Sequence, residues 1–112
     1  MTDPMDGVLL PLLTNEANMG KEISKKLYAI NDDLFVHWCP ACDVFHPLFI
    51  NTPSPTGYMW IWDGNKEFPT FTPSIRVNNY CHYNIKKGML EFLPDSLHLL
   101  RGQTVSMPDV PD

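Results

Sequence analysis

The sequence predicts a small, mainly β fold with a minor α component: antiparallel hairpins and one short helical turn near the carboxyl end. Two observations lead to this prediction. Short runs of β-branched and aromatic residues alternate with turn-forming residues along most of the chain. The length, 112 residues, is that of a single domain with one modest core.

The chain divides into three expected segments. Residues 1–20 mix apolar residues with prolines and follow neither a helical nor a strand period, which is typical of an arm. Residues 21–109 form the domain, and residues 110–112 form a short acidic tail. Within the domain, residues 21–30 fit a helix and a strand equally well.

The remaining elements of the domain follow from local pattern and turn chemistry. The residues 86–88 (Lys-Lys-Gly) predict a tight hairpin turn, and residues 51–57, rich in proline, predict an exposed loop. Residues 94–100 predict the helical turn, with Asp95 or Ser96 as its cap and Gly102 as its end. Six strands are predicted, at residues 34–38, 44–50, 58–62, 74–77, 80–85 and 89–93.

Composition narrows the functional classes. The net charge is −5, which disfavours nucleic-acid binding because phosphate recognition needs a clustered positive surface. The apolar runs are much shorter than the roughly 20 residues of a membrane-spanning helix, so we expect no membrane contact. Acidic residues near the amino terminus do not fit a secretory signal peptide. The three cysteines cannot all pair within one chain, which favours metal binding in a reducing cytoplasm.

The cysteines predict a zinc site. Cys39 and Cys42 form a Cys-x-x-Cys pair, which lets one tight turn present two thiolates to a single Zn²⁺ ion, and Cys81 supplies a third. The fourth ligand is expected to be His98, in the helical turn, with His46 as an alternative.

His82 is a further alternative ligand, but its position argues against it. Neighbouring residues on a strand point to opposite faces, so Cys81 and His82 are not expected to bind the same ion. The sequence therefore predicts that these two side chains have different surroundings.

A catalytic metal is the competing interpretation of the same residues. A zinc-dependent hydrolase needs a carboxylate or histidine beside the ion to handle the proton, and the candidates are Asp95, His82 and His46. Three thiolates would weaken the Lewis acidity of the ion, which favours a structural role. The proline-flanked residues Thr70, Thr72 and Ser74 could line a site or simply turn a corner.

Several short motifs occur together in this chain. They are Trp38 to Cys42 with His46, Trp62 to Gly64, Phe68 to Ile75, Cys81-His82, Phe92-Leu93, Asp95 to His98, Gly102 to Val105 and Pro108-Asp109. This combination resembles a family of small, zinc-binding phage and bacterial proteins of unknown function. Some members of that family are labelled ammonia monooxygenase. That label does not fit, because the monooxygenase is a membrane-bound copper enzyme and this sequence has no membrane span.

The resemblance covers roughly residues 35–109 and implies a phage origin, in the host cytoplasm or the virion. This chain departs from the family pattern at Asp43, where members often have glycine, and at Ser96, where members often have cysteine. The loss of that thiol implies that Ser96 is not a ligand, which leaves His98 as the donor from its segment. Related genes lie beside bacterial ubiquitin-like conjugation genes, which implies a protein-binding accessory role.

These observations predict a noncatalytic, zinc-stabilised module that binds a protein partner, either a phage structural protein or a host protein. A zinc-dependent hydrolase is the alternative function. The two differ in whether the ion has four protein ligands or an open position.

Overall fold

The computed structural model describes residues 20–111 and contains two antiparallel sheets. The expected arm, residues 1–20, lies outside the described residues except for Gly20. The first sheet is a meander of four strands in chain order: β1 (Lys21–Ser24), β2 (Leu27–Asn31), β3 (Leu34–Cys39) and β4 (Val44–Phe49). The segment that fitted a helix and a strand equally well, residues 21–30, is therefore a hairpin.

The second sheet has five strands, again in chain order. They are β5 (Ile61–Trp62), β6 (Phe71–Val77), β7 (Cys81–Lys86), β8 (Met89–Phe92) and β9 (Thr104–Ser106). The β7–β8 hairpin turns at Lys87 and Gly88, whose φ angles of 49° and 77° are the positive values that a tight two-residue hairpin turn requires. The predicted mainly β architecture of antiparallel hairpins is confirmed.

The two sheets pack face to face around a common core. Alternate residues of each strand point inward, as the two-residue period of a strand requires, so Phe35, His37 and Cys39 of β3 share one face. The opposite face of β3 packs against a smaller cluster that includes Val110. The main core comprises Leu27, Phe35, Cys39, Leu48, Trp60, Phe71, Ile75, Cys81, Tyr83, Ile85, Leu90, Phe92 and Met107.

The predicted helical turn at residues 94–100 is absent, and the described residues contain no helix. The Leu97 N–H donates to the Tyr80 carbonyl at 2.8 Å. The Ser96 hydroxyl, expected as a helix cap, instead accepts the His82 N–H and donates to the His82 carbonyl, both at 2.9 Å. Because these groups bond across to residues 80 and 82, the i to i+4 bonds of a helix do not form.

No helix among residues 20–111 is long and apolar enough to cross a membrane.

Candidate active site and metal centre

The β6–β7 hairpin places three polar side chains on its outer face. Arg76 lies directly opposite His82 in the ladder. Ser74 lies in the irregular part of β6, where the ladder shifts register between Phe71 and Ile75, and its Oγ reaches the His82 ring. The turn between the strands contains Asn78 and Asn79 with φ angles of 54° and 56°, values that asparagine tolerates better than most residues. The hairpin thereby brings Ser74 and His82 together.

Ser74, His82 and Asp95 form a hydrogen-bonded chain. His82 Nε2 lies 3.0 Å from Ser74 Oγ, and His82 Nδ1 lies 3.0 Å from both carboxylate oxygens of Asp95. Arg76 Nη2, which can only donate, also lies 3.3 Å from Nδ1, but the two carboxylate contacts are shorter. An ionised carboxylate only accepts hydrogen bonds, so in the tautomer that pairs with Asp95, Nδ1 carries the proton and donates. His82 Nε2 is therefore left as the acceptor for the Ser74 hydroxyl, the arrangement by which an imidazole activates a serine nucleophile.

The Asp95 side chain is half exposed, and both solvent and its neighbours favour the charged form. Its pKa is lowered, first by the hydrogen bond from His82 and then by the charges of His82 and Arg76. Arg76 Nη2 donates to Asp95 Oδ2 at 3.1 Å. Arg76 therefore fixes the carboxylate beside the imidazole.

A cleft of about 600 Å³ opens beside Ser74. It lies between β6, the end of β4 and the loop that leads to β5, and most of its walls are aromatic or aliphatic. The Tyr58 ring is 63% exposed there, whereas Trp60 is buried and donates its indole N–H to the Ser74 carbonyl at 3.3 Å. A mostly apolar cleft beside a nucleophile is a suitable place for substrate side chains.

The opposite face of β7 meets a buried group of metal-ligating side chains. Cys81, next to His82 in sequence, points into the core, as strand alternation predicts. Its Sγ lies 3.9 Å from Cys39 Sγ, and one ligand atom from each of Cys39, His46 and Cys81 lies within 4.8 Å of the others. This buried group could hold a metal ion.

Cys42 belongs to the same neighbourhood. Hydrogen bonds from Cys42 and Cys81 lower the pKa of the Cys39 thiol, and hydrogen bonds with Cys39 and Cys42 raise that of Cys81. The tight turn at residues 39–42, the Cys39–Cys42 knuckle, closes with a hydrogen bond from the Asp43 N–H to the Cys39 carbonyl at 2.8 Å. Asp43 has a φ of 59°. Aspartate tolerates this positive φ better than most residues do.

Hydrogen bonds in the core determine the tautomer of His46. The Trp38 carbonyl, 3.2 Å from His37 Nδ1, can only accept, so His37 Nδ1 donates and Nε2 accepts from the Tyr83 hydroxyl at 2.6 Å. Burial lowers the His37 pKa to about 3 and raises that of Tyr83, so both stay neutral. The Tyr83 oxygen then accepts from His46 Nδ1 at 2.9 Å, leaving the His46 Nε2 lone pair unused.

Two buried side-chain nitrogens lack a hydrogen-bond partner among residues 20–111: His46 Nε2 and His98 Nε2. They differ in what they can do. The Leu100 N–H donates to His98 Nδ1 at 3.2 Å, so in the neutral ring His98 Nε2 carries the proton. His46 Nε2 presents a lone pair, which is what a metal requires.

The sequence-predicted residues therefore separate into two places. Cys39, Cys81 and the alternative ligand His46 come together in the core, while His98 is buried near them but outside that three-residue group. The catalytic candidates Asp95 and His82 meet on the outer face, on the other side of β7 from His46.

Sequence reasoning missed the role of Ser74, which it considered only as a residue that could line a site. No nucleophile motif surrounds this serine. The register of the predicted hairpin gave part of the signal, because a short turn after residue 77 pairs Arg76 with His82. The position of Ser74 could not be read in the same way, because the ladder shifts register between Phe71 and Ile75.

The comparisons with known proteins bear directly on this site. The family model described as bacterial ubiquitination-like system serine protease (BubE) matches residues 14–93, which include Ser74 and His82. No curated protein and no solved structure matches the chain. Since the family is described as a protease, the prediction of a noncatalytic binding module is wrong, and the hydrolase alternative agrees better. The match spans most of the sequence, and the chain belongs to the bacterial ubiquitination-like system serine protease (BubE) family.

Proposed function

We propose that this protein is a serine protease with Ser74 as nucleophile, His82 as general base and acid, and Asp95 as the group that orients His82. The observation that carries the proposal is the continuous chain from Ser74 Oγ through His82 to the Asp95 carboxylate, with both contacts at 3.0 Å. Following the family description, its substrates are proteins of a ubiquitin-like conjugation system.

The proposed reaction needs only these three side chains and water. Ser74 Oγ bonds to the carbonyl carbon of the scissile amide while its proton passes to His82 Nε2 and the C=O π electrons move onto the carbonyl oxygen. The electron pair then returns from that oxygen to re-form the C=O bond. The carbon–nitrogen bond breaks as His82 returns that proton to the leaving amine. Water, activated by the same nitrogen, then hydrolyses the acyl-serine, releases the carboxylic acid and regenerates the Ser74 hydroxyl.

A fluorophosphonate probe tests the nucleophile without requiring the natural substrate. We expect the probe to label the native protein at Ser74, located by peptide mass spectrometry, and not to label Ser74→Ala. Ser106→Ala is the matched control, because Ser106 lies on β9, away from the proposed triad of Ser74, His82 and Asp95. Labelling that persists in Ser74→Ala, with a native circular dichroism spectrum, would show that the proposal is wrong.

A second proposal concerns the buried metal group: one Zn²⁺ ion bound by Cys39, Cys42, Cys81 and a histidine. Thiolate and imidazole donors in a closed, buried site fit structural zinc. The unused lone pair of His46 Nε2 supports His46 as the fourth ligand, with Tyr83 as the partner that orients it. His98 stays the alternative. The group faces the core, so the ion would stabilise the domain and take no part in the serine chemistry.

Metal analysis and cobalt substitution test this ligand set. We expect about one zinc per chain, and after exchange for Co²⁺ a thiolate-to-metal absorption band with the intensity of three thiolates. His46→Gln should bind zinc at least about tenfold more weakly, whereas His98→Gln should not. The reverse result would assign the fourth position to His98. A protein that folds and binds no metal would overturn the proposal.

A further inference from the structure

Part of strand β6 has no partner on one side. β5 pairs with β6 only through Ile61 with Thr72 and Trp62 with Phe71. Among the described residues, no strand continues along that edge beside residues 74–77. The open edge begins at the nucleophile Ser74.

Hydrogen bonding on β7 shows which backbone groups of β6 face this edge. The His82 N–H donates to Ser96 Oγ, and the His82 carbonyl accepts from the Leu93 N–H, so both groups point away from β6. Arg76 is the ladder partner of His82, so the two form a non-hydrogen-bonded pair. The Arg76 N–H and carbonyl therefore point to the open edge. Ser74 lies in the irregular stretch between Phe71 and Ile75, where the ladder shifts register, and its carbonyl accepts from the Trp60 indole N–H.

The apolar cleft adjoins the same edge. Its walls include Pro47, Phe49, Tyr58 and Val77, together with Ser74 itself. The edge therefore offers one residue with both main-chain groups available, beside a volume of about 600 Å³ that suits apolar side chains. These are the two parts of strand-addition recognition: backbone bonds give affinity and pockets give selectivity.

We infer that the substrate is an extended polypeptide segment that binds as an antiparallel strand on the open edge of β6. One of its residues exchanges two main-chain hydrogen bonds with Arg76, and an apolar side chain enters the cleft. The inference rests on the proposed protease function and adds its substrate class. Segments inside folded domains are not cut, because their backbone groups are already paired.

The direction of pairing assigns the Arg76 contact to one side of the scissile bond. In an antiparallel pair, the substrate residue opposite Ser74 comes two positions after the residue opposite Arg76. Cleavage occurs at Ser74, so the residue that pairs with Arg76 belongs to the acyl portion of the substrate. The leaving portion extends past Ser74, away from this contact.

Denatured β-casein is the probe for this inference. Its cleavage sites are mapped by mass spectrometry, and a peptide spanning the strongest site is then N-methylated at each of the residues before the scissile bond. One N-methyl group, on the residue that pairs with Arg76, should lower kcat/KM about tenfold by removing a hydrogen bond. Its two neighbours, whose N–H groups point away from β6, should tolerate the change.

A pair of protein variants tests the cleft. Tyr58→Ala should raise KM for the casein peptide about fivefold, because an exposed ring that covers the bound side chain is lost. Leu99→Ala is the control, since this leucine is 88% exposed and lies outside the cleft. Equal KM values for the two variants would overturn the inference.

The outcomes also separate this inference from the function on which it rests. Uniform losses across the N-methyl series, or no loss at any position, would overturn strand addition. If Ser74 reacts with the fluorophosphonate but β-casein stays intact, the substrate class is wrong while the nucleophile stands. If neither reaction occurs, both proposals fail.

Discussion

Arg76 supports the charged form of Asp95 alongside His82, whose hydrogen bond is the larger cause of the lowered Asp95 pKa. It contacts Asp95 from the strand opposite His82, so the carboxylate receives hydrogen bonds from two sides. In many serine hydrolases burial keeps such a carboxylate in place. Here Asp95 is half exposed, and a cation takes over that positioning role.

We expect Arg76→Met to raise the pKa of Asp95. The native pKa is lowered because His82 and Arg76 both favour the charged form, so removing one of them moves the pKa back toward the ordinary value. Carboxyl-carbon NMR titration measures the shift, and the pH below which the Asp95 carboxylate becomes protonated should rise with it. Arg101→Met is the control, because Arg101 bonds to the His98 carbonyl instead. An unchanged Asp95 titration in Arg76→Met would contradict this role.

At the scale of elements, β7 serves two sites at once. Its inward residues Cys81 and Tyr83 contact the metal group and its histidines, and its outward residue His82 belongs to the triad. Because of the two-residue period of a strand, the metal-ligating group and the proposed catalytic residues lie on opposite faces of the sheet. Any change that shifts the register of β7 by one residue would exchange the two faces.

The turn after β7 packs closely against Phe68, and this contact can be tested. A Cβ added at Gly88 would lie 3.1 Å from the backbone Cα of Phe68, whereas one added at Gly64 would meet nothing within 4 Å. Both glycines have positive φ, near 77° and 86°, so both alanine variants carry backbone strain of about 1 kcal/mol. We expect Gly88→Ala to lower the free energy of unfolding by about 2 kcal/mol or more, because the contact adds to the strain.

Urea unfolding of the two glycine variants measures this difference. Gly64→Ala is the matched control for the strain alone. Similar losses in both variants would mean that the Phe68 contact relaxes without cost.

At the scale of the whole molecule, the metal group connects the two sheets. Cys39 and His46 belong to β3 and β4 of the first sheet, and Cys81 belongs to β7 of the second. An ion shared by these ligands would cross-link the sheets through the centre of the core. Binding free energy at such a site acts directly as folding free energy.

Removal of the metal should therefore destabilise the whole domain. We expect dialysis against a chelator to lower the melting temperature by at least about 10 °C. Restoring Zn²⁺ should restore it, and Mg²⁺, which prefers oxygen ligands, should not. Scanning calorimetry with metal content measured on the same samples gives the answer. Loss of the metal with no change in melting temperature would contradict the cross-linking role.

The sequence by itself determined the β-rich architecture, the Cys39–Cys42 knuckle, the Lys87–Gly88 turn and the opposite orientations of Cys81 and His82. These features depend on period and turn chemistry within a few residues, so they can be read locally. The helical turn was wrongly predicted because its signals were also local. The Ser96 hydroxyl, expected to cap the helix, instead bonds to the backbone of His82, which is distant in sequence.

Only the tertiary structure decided which residues meet. The proposed role of Ser74 as nucleophile depends on Asp95 returning from the segment after β8 to the outer face of β7. The approach of His46 and Cys39 to Cys81 depends on the first sheet facing the second. Neither pairing leaves a periodic trace in the sequence, because each is fixed by the packing of elements that are far apart along the chain.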